Sequence, residues 1–293
     1  MSISVRLQTF FLSAFILACA VFVGVRFWPR DHVEELLGQM PGNVAVLAYI
    51  DVPRLAEAAA DAPLALPWSQ GLAADRLDGI ALALAGHEFY VAAGGDFSAS
   101  VIGALLASQG IRCGESLEVA PCAADFGHGP VLLRMPRPGN LIAATGGSLS
   151  FPKSAEFHSD EAQRALSDGA LIWAAIDPSS LDAAMEDPPP QWINLQIVAR
   201  ALEPARVAYL TVNPLTGNNV AIRVEAHCDA GDREQLEQVL TGLNDMALAL
   251  LSQDAAATEQ WSPILRSFES SGGVETVRVQ WTLPVERLAD LWQ

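Results

Sequence analysis

The chain has 293 residues, 51% hydrophobic and 17% charged, which supplies a large core and argues against wholesale disorder. Its 34 acidic against 17 basic residues give a net charge of −17, which repels phosphate backbones and argues against nucleic acid as a partner. The same charge favours basic protein partners, through an attraction that weakens with salt.

Leu7–Val25 (LQTFFLSAFILACAVFVGV) carries no charge, and as a helix it would span about 28 Å, close to the thickness of a bilayer core. Arg6 precedes it; Arg26 and Arg30 follow, with Phe27 and Trp28 at the position of an interfacial aromatic belt. The run is expected to be a transmembrane signal-anchor, residues 1–30 forming a cytoplasmic tip and an inner-membrane helix. Two alternatives stay open. Ile16-Leu17-Ala18-Cys19 reads as a lipobox that would place lipid on Cys19, and Ala18 or Ala20 would suit cleavage by signal peptidase. All three readings put the rest of the chain outside the cytoplasm, in a bacterial envelope.

Asp31–Gln39 reads as a short helix, with Asp31 as N-cap and Glu34 as its capping-box partner. Asn43–Ile50 is an almost wholly apolar strand, expected to be buried on both faces, and Asp51 starts a helix to about Ala60. Ala62–Trp68 is Pro-rich and irregular, and Ser69–Asp75 suggests another helical turn. Gly79–Ala85 and Glu88–Ala93 are strands joined at Gly86-His87, where glycine in first place suits a type II′ hairpin. Ser98–Ser108 is a helix, and strands are expected at Leu117–Ala120, Pro130–Met135 and Leu141–Ala144. Cys113 and Cys122 lie in a stretch punctuated by glycine and proline; they suit either a small disulfide loop or two separately buried thiols.

The same order then returns. Asn43–Ala59 and Gly169–Met185 align without a gap (177 − 51 = 126), so that Ala48, Ile50, Asp51, Leu55 and Ala58 recur as Ala174, Ile176, Asp177, Leu181 and Ala184. Around this second copy lie helices at Asp160–Leu166, Pro178–Met185 and Gln191–Leu202 and a strand at Ala170–Ile176. Arg206–Val212 and Asn219–His227 form a hairpin, Asp232–Leu251 a long amphipathic helix and Ser262–Phe268 another helix. Val274–Leu283 alternates as a last strand and Val285–Trp292 closes the chain as a helix; Cys228 is expected to be a buried free thiol. Each copy reads β-α-β-β-α-β after its lead-in helix. The expected fold is therefore α+β: an N-terminal transmembrane helix, then two tandem ferredoxin-like modules at residues 31–158 and 159–293.

Tyr49-Ile50-Asp51 and Ala175-Ile176-Asp177 are each a strand ending in a hydrophobic–Asp pair before a helix. On those residues and the N-terminal run the chain resembles uncharacterised exported bacterial proteins with an anchor and a duplicated α+β module. The resemblance implies an envelope location and no particular activity.

Asp51 and Asp177 are the first acid–base candidates, but each directly precedes a helix, where an Asp serves as N-cap; capping is the expected role. Ser150-Phe151-Pro152-Lys153 matches the S-x-x-K of penicillin-recognising enzymes without their companion motifs, and Pro152 favours a loop. His32, His87, His128, His158 and His227 show no metal-ligand spacing, and no nucleotide cradle is signalled, so no catalytic residue, cofactor or metal is expected. Trp192, Trp261, Trp281 and Trp292 crowd the second copy; Trp192, Trp261 and Trp292, beside breaks or the terminus, are the candidates for an interaction surface. The expected function is a membrane-anchored, non-catalytic scaffold that binds a protein partner. The alternative is an envelope hydrolase or a carrier of lipid or another small molecule, with its site at the junction of the copies.

Overall fold

The computed structural model describes residues 31–58, 76–108, 110–125, 130–145, 149, 159–184, 193–253 and 255–287. In the first half lie α1 (Asp31–Leu37), β1 (Val46–Asp51), α2 (Val52–Ala58), β2 (Leu77–Ala85), β3 (Glu88–Gly95), α3 (Ala99–Ser108), β4 (Cys122–Asp125), β5 (Pro130–Arg137) and β6 (Asn140–Ala144). In the second lie α4 (Ser159–Ser167), β7 (Ile172–Ile176), α5 (Pro178–Ala184), α6 (Ile193–Leu202), β8 (Ala205–Pro214), β9 (Asn219–Cys228), α7 (Arg233–Leu251), α8 (Ala255–Arg266), β10 (Glu269–Gly272) and β11 (Thr276–Pro284).

All eleven strands join one antiparallel sheet, in the order β10-β11-β9-β8-β7-β1-β2-β3-β6-β5-β4. This overturns the two ferredoxin-like modules. That plan splits each copy's first and second strands, parallel to each other, around a third strand; here each copy's first strand pairs directly, and antiparallel, with the strand that follows it. The copies then meet through β1 and β7. Alternation and length reveal a strand but not its neighbour, so element order alone left the pairing open. The transmembrane signal-anchor is corrected too: among the described residues no helix is long and apolar enough to cross a membrane, and Leu7–Val25 lies outside them.

The β1–β7 register shows how the duplication is built. Ala48 pairs with Ala174, its own counterpart in the repeat, and Val46↔Ile176 and Ile50↔Ile172 lie symmetrically on either side. A pseudo-two-fold axis therefore passes between Ala48 and Ala174 in the middle of the sheet. The outward pairings repeat as well. Ile50↔Ile80 corresponds to Ile176↔Ala208, and the irregularity between Leu77 and Gly79 in β2 returns between Ala205 and Val207 in β8.

The two sheet faces are dressed differently. One carries a core to which α2, α3, α5, α6, α7 and α8 contribute. On the other, Leu36, Leu37 and Met40 at α1 and Ala162 and Leu166 of α4 enclose Leu47, Tyr49, Trp173 and Ala175 at the axis, and the same cluster extends to Tyr90 and Ala144 of the first half. This explains the unbroken apolar run of β1, whose centre is buried on both sides.

Local expectations hold unevenly. Gly86 has φ +57° at the β2–β3 turn, as a II′ turn requires of its first residue. Leu117–Ala120 is a turn, not a strand: buried Leu117 faces the core and β4 forms at Cys122–Asp125. The helix expected over Ser262–Phe268 begins earlier, at Ala255, and the short edge strand β10 had no counterpart in the expectation. Cys113 and Cys122 form a disulfide, and Cys228 is a buried free thiol.

Candidate functional site

Asp51 and Asp177 end antiparallel neighbours, so they stand at opposite ends of the β1–β7 pair and do not form a two-carboxylate site. Both are helix caps. The Asp177 carboxylate accepts from the Ser179 and Ser180 amides at 3.0 and 3.2 Å, and from both hydroxyls. The Asp51 carboxylate accepts from the Arg54 amide at 3.1 Å, with the Arg54 guanidinium 3.5 Å away. Arg54 also donates to the Leu166 carbonyl at the end of α4, tying the first half to the second.

Their titrations move in opposite directions. Burial raises Asp51, and the Arg54 amide and charge offset it only in part. Burial also pushes Asp177 up, but the serine hydrogen bonds outweigh it and hold it low. The stabilisation from Asp177 is therefore present above its unfolded-state pKa and lost as pH falls through its folded one; ionised Asp51 carries a cost at neutral pH that protonation relieves. Asp177→Ala is expected to lose about 1 kcal/mol at neutral pH. Asp51→Asn keeps a capping oxygen without the buried charge and is expected to match or exceed the wild type there. Urea midpoints at pH 7 and pH 4 check both; equal losses from the two substitutions would contradict the assignment.

The duplicated frame allows the halves to be compared position by position on the face that α1 covers. In the first half Ala81, Ala92 and Ile142 form one cross-strand row, and Ala83, Tyr90 and Ala144 the next. All six are buried, and α1 packs over β2 and β3. The equivalent rows of the second half are Tyr209, Glu225 and Arg278, then Thr211, Arg223 and Gln280. None of these six is fully buried, and Arg278 is exposed. The packing of α4, the counterpart of α1, is on β7, and the contacts of α7 and α8 with β11 lie on the opposite face.

These side chains are held by one another. Arg278 Nε donates to Glu225 Oε2 at 2.9 Å, while Glu225 Oε1 lies 3.4 Å from His227 Nε2. The His227 ring meets Tyr209 edge-on at 5.6 Å. Burial, with Glu161 and Glu225 nearby and only partly opposed by Arg164, pushes the Tyr209 hydroxyl up to about 12, so it stays a protonated donor. Arg223 donates through Nε and Nη2 to Gln280 Oε1 at 3.2 and 3.0 Å, and Asn213 Nδ2 donates to Thr211 Oγ1 at 3.0 Å. Chemically the arrangement supplies recognition by charge and hydrogen bonding over a pleated surface.

The fold has a solved counterpart. The structure of crystal form III of TP0453 matches with a TM-score of 0.50 at 11% identity, covering 87% of this chain and 96% of that one. Crystal form I of TP0453 gives 0.49 at 12% identity, covering 87% and 95%. No family model and no curated protein matches the chain. At such identity the likeness shows the fold alone.

The residues singled out from sequence lie elsewhere. Trp261, on α8, is buried in the core; Trp192 and Trp292 lie outside the described residues. Trp281 is half-buried and donates through Nε1 to Asn244 Oδ1 at 3.1 Å. His87 is exposed at the β2–β3 turn, whereas the S-x-x-K stretch, His128 and His158 fall outside the described residues. Among the described residues no His, Cys, Asp and Glu are grouped to hold a metal. The junction of the copies is a hydrogen-bonded strand pair with Ala48, Ile50, Ile172 and Ala174 in the core. The polar face was missed, although alternation along Arg223–His227 and Arg278–Thr282 was its visible trace.

Proposed function

We propose that the chain is an exported, non-catalytic binding protein of the bacterial cell envelope, acting by protein contacts through the polar face of β8, β9 and β11. The observation that supports this most is the six-position comparison. On one repeated frame the first half carries alanine, isoleucine and a buried tyrosine, and the second carries Tyr209, Thr211, Arg223, Glu225, Arg278 and Gln280. Tyrosine and arginine supply interface hot spots, and rigid strands hold them without much ordering cost. The disulfide supports export, since such bonds persist in oxidising compartments.

The test is partner capture by the full chain from an envelope fraction. A Tyr209→Phe/Arg278→Ala variant, which keeps the ring packed beside Trp173 and removes only the hydroxyl and the exposed guanidinium, is expected to lose capture more than tenfold while keeping the wild-type melting temperature. His87→Ala, on an exposed turn of the first half, should capture normally. Equal capture by all three proteins would remove the face from the reading. Hydrolysis of an ester, peptide or glycoside by the purified chain would replace binding with catalysis.

A further inference from the structure

We propose that Arg223 is the anchor of this face and takes a single carboxylate from a protein segment that is otherwise net positive. The inference rests on the binding reading above and narrows it to a partner chemistry. Arg223 lies at the centre of the second row, with Thr211 on one side and Gln280 on the other. Its two hydrogen bonds both go to one neutral amide oxygen, Gln280 Oε1, whereas the neighbouring Arg278 is neutralised by Glu225. Two of the five guanidinium N–H donors are thus used to hold the group in place, and the remaining three stay available to an incoming acceptor. The position is half-buried, so a carboxylate docked there is partly desolvated and its charge-assisted bonds are stronger than at an exposed site. The equivalent position in the first half is the buried Tyr90, which shows that the frame does not itself require a cation there.

Charge at longer range limits what carries the carboxylate. A chain of net charge −17 repels a polyanion before contact and attracts a basic segment. Both demands are met by an extended, lysine-rich segment with one acidic side chain. The lysines answer the field of the whole molecule, and the lone carboxylate answers Arg223.

Fluorescence anisotropy with two end-blocked, labelled peptides tests this on the full chain. One is a lysine-rich peptide with a central glutamate; the other has glutamine at that position. The glutamate peptide is expected to bind wild type about tenfold more tightly at 0.15 M salt. In Arg223→Gln the difference should vanish. In Arg223→Lys, which keeps the charge but loses the fork, a smaller preference should remain. Raising the salt should weaken both peptides while leaving their ratio largely intact. Equal binding of the two peptides to wild type, or a preference that survives in a folded Arg223→Gln protein, overturns the proposal. Either result leaves partner capture through Tyr209 and Arg278 as a separate question, decided by its own variants.

Discussion

Trp173→Ala is expected to cost about 3–5 kcal/mol, a large share of the total stability of a typical domain. Trp173 is 1% exposed and sits on β7 directly opposite Tyr49 of β1 and Thr211 of β8. It packs in the cluster that α1 and α4 close, with the Tyr209 ring centroid 6.3 Å away. Truncation would leave a cavity between elements of both halves, where neither can collapse without moving the other. Because the halves share one sheet and one core across the axis, urea should unfold the chain in a single transition, with the midpoint lowered and the slope little changed. Two resolved transitions in wild type would show that the halves fold separately. A loss below about 1 kcal/mol would show that the seam is not where stability is concentrated.

What the sequence made legible was local. The strand that ends in Asp and feeds a helix could be read twice, because buried strands, acidic caps and Pro178 at a helix start leave marks within a few residues of one another. The unbroken apolar run of β1 correctly pointed to burial on both faces. Pairing was not legible. Nothing in Val46–Asp51 distinguishes an edge from a centre, or β7 from any other neighbour. The small side chains of Ala48 and Ala174 become meaningful only once their register places them across the axis from each other.

The candidate face follows the same division. Alternation marked β9 and β11 as strands with one polar side. That Arg223, Glu225, Arg278 and Gln280 converge with Tyr209 and Thr211 depends on two pairings between residues more than fifty positions apart. The placement of Trp261 follows the same division: a large aromatic beside a break has no intrinsic preference for surface over core. Trp261 lies on a helix that starts seven residues earlier than was expected for this segment, at Ala255 instead of Ser262, and it is buried in the core cluster that also holds Leu283 and Val285.

The second large effect is expected at the opposite end of the sheet. Cys113 and Cys122 close a loop with a sequence separation of 9, and closing a loop of that size removes about 2–3 kcal/mol of unfolded-state entropy. Cys122 belongs to β4, an edge strand of four residues that covers only part of β5. Beyond β4, the Met135 amide of β5 is met by the Leu117 carbonyl at 2.9 Å, so the disulfide loop continues the cover along that edge. Replacing both cysteines with alanine, or reducing the wild type, is therefore expected to lower stability by a similar amount. Amide exchange should rise at Ala123 and Met135 and stay unchanged at Ser270 on the other edge, where polar, exposed β10 needs no such brace. The result bears on location as well as stability. A chain that depends on this bond reaches its full stability only where thiols stay oxidised. If reductant leaves the urea midpoint and the β4 amides untouched, the bond is dispensable, and the export reading loses the structural observation that supports it.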